Sequence, residues 1–171
     1  MSSTYVPIMN ALLALIQSQC GDAFKTYSRR LVTWEDMAQK IANGQAPAQP
    51  ALYLFDGVMM TGGGRINFER TATAVPDKRL MEKTIVIYAQ LPGSGTAGGP
   101  DSTTPGGDVL YPLMESVADA INFAPAAIMG AQTLGGLVAH CWIQGDSYMF
   151  SPDIDPGGQG MATIPVRILI P

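Results

Sequence analysis

The sequence predicts an α+β fold, a mostly antiparallel sheet of about four to five strands packed against two main helices in a single domain. Three observations predict it. Near the C-terminus Ala162, Ile164, Val166, Ile168 and Ile170 form one uninterrupted apolar face at the period of a strand. Tyr5, Met9, Leu12, Leu13 and Ile16, and again Leu110, Leu113, Met114, Val117, Ala120 and Ile121, recur at helical spacing. Between the two helical stretches lie residues 51–55 and 83–91, short runs rich in aliphatic and aromatic side chains. A chain of 171 residues is most simply one domain and is long enough to bury a core.

Taken in order, the first helix is expected over residues 5–18, with Pro7 suited to its first turn and Gly21 as its stop. Residues 24–34 mix β-branched and aromatic side chains with polar ones and read as an extended segment. Residues 35–43 read as a short helix whose acidic start favours the N-terminal end of its dipole, closed by Gly44. Pro47 and Pro50 flank a linker into the strand at 51–55. Residues 57–65 contain Gly62, Gly63 and Gly64, and strand-like sequence resumes from Ile66 to about Val75. Pro76 and Asp77 mark a turn, so the strands on either side form a hairpin. In the second of them Ile85, Ile87, Ala89 and Leu91 share a face.

Residues 92–107 read PGSGTAGGPDSTTPGG, with no aliphatic side chain larger than alanine. Such a segment buries too little to pack, which predicts a flexible Gly/Ser/Thr/Pro loop. Asp108 is the expected cap of the second main helix, Pro112 is tolerated in its first turn, and Pro125 ends it. Residues 134–144 read as a strand, with Leu137, Ala139, Cys141 and Ile143 on one face and Val138, His140, Trp142 and Gln144 on the other. A Gly/Pro/Asp-rich loop then leads into the last strand. The chain shows no internal repeat.

Charged residues make up 14% of the chain, well below the usual share of roughly a quarter. A surface with so little charge leans towards being covered by partners. The net charge of −4 argues against specific nucleic-acid binding, which needs clustered Lys and Arg; Arg29-Arg30 is the nearest approach. No secretory signal is expected, because the N-terminus lacks a positively charged start, and no membrane span, because the apolar run at 11–16 is too short. Cys20 and Cys141 lack zinc or redox spacing and read as reduced, buried thiols.

The signals for chemistry are weak. His140 is the only histidine; no GxSxG accompanies it, and Cys141 points to the opposite face of its strand, so it reads as structural. The glycine runs lack the lysine of a phosphate loop, and Gly62-Gly63-Gly64 leads into strand-like sequence, not into a helix N-terminus. Asp153 and Asp155 lack the third oxygen ligand and distal Glu of a calcium loop, so a turn held by Asp and Pro is the expectation. No catalytic pair, cofactor or metal is expected.

The arrangement resembles the tail terminator (tail completion) proteins of long-tailed bacteriophages. The residues that carry the likeness are the N-terminal helix, Pro50-Ala-Leu-Tyr-Leu-Phe55 and Thr84-Ile-Val-Ile-Tyr88. After these come the helix at 110–123, Leu134-Gly-Gly-Leu-Val138 with Trp142-Ile-Gln-Gly145, and Ala162-Thr-Ile-Pro-Val-Arg-Ile168. The order spans nearly the whole chain, although no single motif is diagnostic. The resemblance implies a virion protein of the tail or neck, made in the host cytoplasm. It implies a homo-oligomer, usually a hexameric ring, at the head-proximal end of the tail tube, where it stops tube polymerisation and offers a docking surface to the head–tail connector. Tail tube protein, connector protein and, in a contractile tail, sheath protein are the implied partners. The loop at 92–107 departs from the tightest versions of the pattern.

Composition nominates the loops as contact-makers that order on docking: Gly62, Gly63, Gly64 and Arg65 in the first, Gly93, Ser94, Gly95, Thr96, Asp101 and Thr103 in the second. Asp153 and Asp155 join them as candidates. The alternatives are another phage neck or head-completion protein, a small-ligand-binding module, or an enzyme with a pocket near His140 and Trp142.

Overall fold

The computed structural model describes residues 5–55, 69–70, 79–90, 106–122, 132–144, 147–150 and 159–171. In chain order the elements are α1 (Tyr5–Cys20), a 3-10 turn (Gly21–Ala23), β1 (Thr26–Ser28), α2 (Trp34–Ala42), β2 (Ala51–Phe55), β3 (Glu69–Arg70) and β4 (Arg79–Gln90). They continue with α3 (Gly106–Asn122), β5 (His140–Ile143), β6 (Tyr148–Phe150) and β7 (Gln159–Ile170). The strands form one sheet in the order β1-β2-β4-β7-β5, with β3 added on β4 and β6 on β7. Only β1 and β2 run parallel, joined by the crossover that contains α2. The α+β class and the mostly antiparallel sheet are as the sequence predicts.

β4 and β7 pair along their whole length, from Arg79 opposite Ile170 to Gln90 opposite Gln159. Their alternation builds both layers. Ile85, Ile87 and Ala89 of β4, with Ala162, Ile164, Val166, Ile168 and Ile170 of β7, join Leu52 and Leu54 of β2 in one buried face. Ile8, Met9, Leu12 and Ile16 of α1 and Leu110, Val117 and Ile121 of α3 close over it. Ile16, Leu12, Leu110 and Val117 are 0% exposed, so each contributes about 1.5–3 kcal/mol of apolar transfer.

On the opposite face a smaller core forms where α2 lands. Met37 packs with Ala51, Tyr53, Val86, Tyr88 and Met161. Thr33 starts α2 by accepting the Asp36 amide at 3.2 Å, and Glu35 and Asp36 supply the acidic first turn. The Tyr88 hydroxyl donates to the Val32 carbonyl at 2.9 Å, fastening the approach to α2. Gln49 and Gln159 exchange amide hydrogen bonds at 2.8 and 3.0 Å, and the Gln159 amide also donates to the Ala89 carbonyl at 3.0 Å. The linker before β2 is thereby tied to the start of β7.

Several boundaries differ from expectation. The sheet has seven strands, because β1, β3 and β6 add pieces of three, two and three residues. Within residues 24–34 only β1 pairs as a strand; the backbone bends at Arg29-Arg30, and Trp34 already opens α2. α3 begins at Gly106, so Asp108 sits in its first turn rather than at its cap, and Pro112 lies inside the helix. The strand expected at 134–144 starts only at His140. Leu134, Gly135 and Gly136 take φ of 50°, 72° and 91°, and the amides of Gly136 and Val138 both donate to the Thr133 carbonyl. That left-handed turn reverses the expected facing: Val138 is buried at 3% and Leu137 is 41% exposed. Of the hairpin around Pro76, β3 and the start of β4 pair as expected, and residues 71–78 lie outside the described residues.

Candidate functional site

β7 changes character along its length. From Gln159 to Ile164 every residue is buried on both faces; from Pro165 onwards buried and half-buried residues alternate. The reason is the reach of α2, whose contacts on the second face extend only to Tyr53, Val86, Tyr88 and Met161. Beyond them, among the described residues, half of that face has no helix over it.

The open half is laid out by register. Leu80, Leu169 and His140 form one row across β4, β7 and β5, and Glu82, Arg167 and Trp142 form the next. Pro165 and, on β6, the 59% exposed Tyr148 continue it. The Arg167 guanidinium meets the Glu82 carboxylate at 2.9 Å, with both side chains about a third exposed. Such a pair adds only about 0–1 kcal/mol of stability; its effect here is to hold the guanidinium in the middle row.

His140 and Trp142, two apart on one strand, stack with ring centroids 4.8 Å apart and planes 13° apart. Each ring is also tethered. The His140 Nδ1 accepts the Gln132 amide at 3.2 Å, which leaves the ring proton on Nε2. The Trp142 Nε1 donates to the Gln144 side chain at 2.7 Å. Gln132 itself is buried at 3%: its Oε1 accepts the Leu134 amide, and its Nε2 has no partner among the described residues. The result is a half-apolar surface of aromatic and aliphatic groups around one ion pair, with its rings fixed in place. That is the composition of a protein contact.

The nucleophile–base pairing of Cys141 with His140 is absent, as alternation predicts. Cys141 is 0% exposed in the core on the helix side, and burial pushes its thiol up to about 12. Cys20 donates to the Ser116 carbonyl at 3.4 Å, linking α1 to α3, and its thiol is also raised by burial. Among the described residues no group of three or more His, Cys, Asp or Glu is placed to hold a metal ion. No helix among them is long and apolar enough to cross a membrane.

The loop residues singled out from composition, Gly62, Gly63, Gly64, Arg65, Gly93, Ser94, Gly95, Thr96, Asp101, Thr103, Asp153 and Asp155, all lie outside the described residues. The described strands fix where their segments attach. Gln90 and Gln159 are register partners, so 91–105 and 151–158 join the sheet at one end. Phe55 pairs with Thr84, towards the other end, where 56–68 begins. The surface residues that sequence reasoning missed are Leu80, Glu82, Arg167, Leu169 and Tyr148. A signal existed for one of them: Arg167 is the single charged residue of β7 and sits beside an unbroken apolar even row.

No protein-family model matches the chain, and no curated protein does.

Proposed function

We propose that this protein is a structural virion component of a long-tailed bacteriophage. It forms a ring at the head-proximal end of the tail tube, ends tube polymerisation and joins the tail to the head connector. The observation that most favours this reading is the half-buried face around His140, Trp142, Leu169 and Arg167, which among the described residues has no helix over it and holds pre-oriented rings that a protein partner can cover. Support also comes from order: the segments behind the resemblance fall on α1, β2, β4, α3, β5 and β7 of a single sheet-and-helix frame, with residues 134–138 in the turn before β5. The sheet has unlike ends, with two candidate loop segments attached at one and the third at the other. A ring subunit needs such asymmetry, because one face must imitate a tube subunit while the other refuses the next.

In this reading the partners are further copies of the chain, the tail tube protein and the connector protein, with sheath protein added in a contractile tail. His140 orients Trp142 and performs no proton transfer. The test is the growth of tail tubes from purified tube protein with and without this chain, and with the variant His140→Ala. Capping of wild-type tubes supports the reading, and unchanged tube lengths refute it. A head-completion protein would instead bind the connector and leave tube length alone.

A further inference from the structure

Charge is unevenly divided along this chain. No Lys or Arg occurs between Lys83 and Arg167, yet seven of the 14 acidic residues fall there: Asp101, Asp108, Glu115, Asp119, Asp146, Asp153 and Asp155. All 10 basic residues and the other seven acids belong to the remainder. Part of this division falls at opposite edges of the sheet. β1 is one edge strand, and exposed Lys25 and Arg30 flank it. Arg29 reaches from the same place to the Asn10 side chain of α1 at 2.9 Å. Asp22 is the single acid between Cys20 and Thr33.

The opposite edge is β5 and β6, with α3 packed over β5 and β7. The exposed positions of α3 carry Asp108, Glu115 and Asp119, and the helix has no basic residue. Tyr111 on α3 adds apolar area on that side, at 57% exposed. Between the two charged flanks lies α1, 16 residues without a charge, whose exposed positions are Val6, Pro7, Asn10, Ala14, Gln17, Ser18 and Gln19.

We propose that copies of this chain associate head to tail, with the basic β1 flank of one copy (Lys25, Arg30) against the acidic α3 flank of the next (Asp108, Glu115, Asp119). This deepens the ring reading and rests on it. An isologous contact through either flank would set like charges against each other, whereas a heterologous one pairs opposites and, with a closing rotation, gives a ring. The contact is made by side chains and is not a continuation of the sheet. β1 offers only three residues, and the two strands of the other edge differ in register: Ile143 pairs with Val166 but Tyr148 with Thr163.

The test is a charge swap on the full chain, read by sedimentation velocity at about 0.05 M and about 0.5 M salt, where the screening length falls severalfold. Lys25→Glu with Arg30→Glu makes both flanks acidic; Glu115→Lys with Asp119→Lys makes both basic. All four side chains are exposed, and circular dichroism checks that each variant is folded. Wild-type chain should self-associate at least about tenfold more tightly at the lower salt. Each variant alone should lose assembly, and an equimolar mixture should recover it, because acidic and basic subunits can alternate. Wild-type chain that stays monomeric at low salt, variants that assemble like wild type, or a mixture that stays dissociated would each overturn the proposal. The ring reading is scored separately on tube growth. Tubes capped by a chain that fails the swap refute this interface alone, and a successful swap with uncapped tubes refutes the terminator reading.

Discussion

Single side chains decide how the two layers are fastened, and Gln159 is the clearest case. Its amide is 4% exposed and bonds Gln49 and the Ala89 carbonyl. Replacing Gln159 with Ala strands the Gln49 amide and the Ala89 carbonyl, so the variant should lose about 1–3 kcal/mol in urea unfolding. Cys141 gives the chain a dependence on alkaline pH. Its thiol has an ordinary value of 9.0 and is pushed up to about 12 by burial. Below pH 9 both folded and unfolded chains keep the proton, and the stabilisation is complete. Between these values the unfolded chain ionises and the folded one does not, so stability falls by at most about 1.4 kcal/mol per pH unit. Cys141→Ala should flatten that alkaline limb in pH-dependent melts. At this scale the sequence was informative where alternation governs: His140 and Trp142 share a face, with Cys141 opposite. It was silent on the Gln132 amide that orients His140, because that contact depends on a turn eight residues away and not on period.

At the scale of elements, long periodic segments were legible and short ones were not. α1, β2, β4, α3 and β7 each repeat their pattern often enough to announce themselves. β1, β3 and β6 span three, two and three residues, too few for a period, and exist because long neighbours offer them free backbone groups. The facing of Val138 and Leu137 was misread because Leu134 takes a positive φ, which strand alternation cannot anticipate. The break between β5 and β6 leads to a prediction of its own. β5 and β6 differ in register on β7 by two residues, so deleting Gly145 and Asp146 would bring β6 into the register of β5. The result would be one long edge strand. The shortened chain should fold yet aggregate more readily on warming, measured by light scattering, because the interruption that protects the edge is gone. Equal or lower aggregation would mean that the register offset does not guard the edge.

For the whole molecule, the α+β class followed from periodicity, but the surface on which the functional reading rests did not. The open half-face depends on how far α2 reaches across the sheet, and the charge polarity depends on strand order; both are properties of the assembled fold. The loop residues picked out by composition instead lie outside the described residues. In the proposed reading, what ties the scales together is a chain with unlike flanks and, among the described residues, one half-covered sheet face, which would meet further copies of itself and a different partner on each end. The most direct test adds the full chain to growing tail tubes and follows tube length and tube ends by negative-stain microscopy. The account predicts shorter tubes with a ring at one end only and no further growth from that end. Tubes that keep lengthening at the control rate, with bare ends, would contradict it.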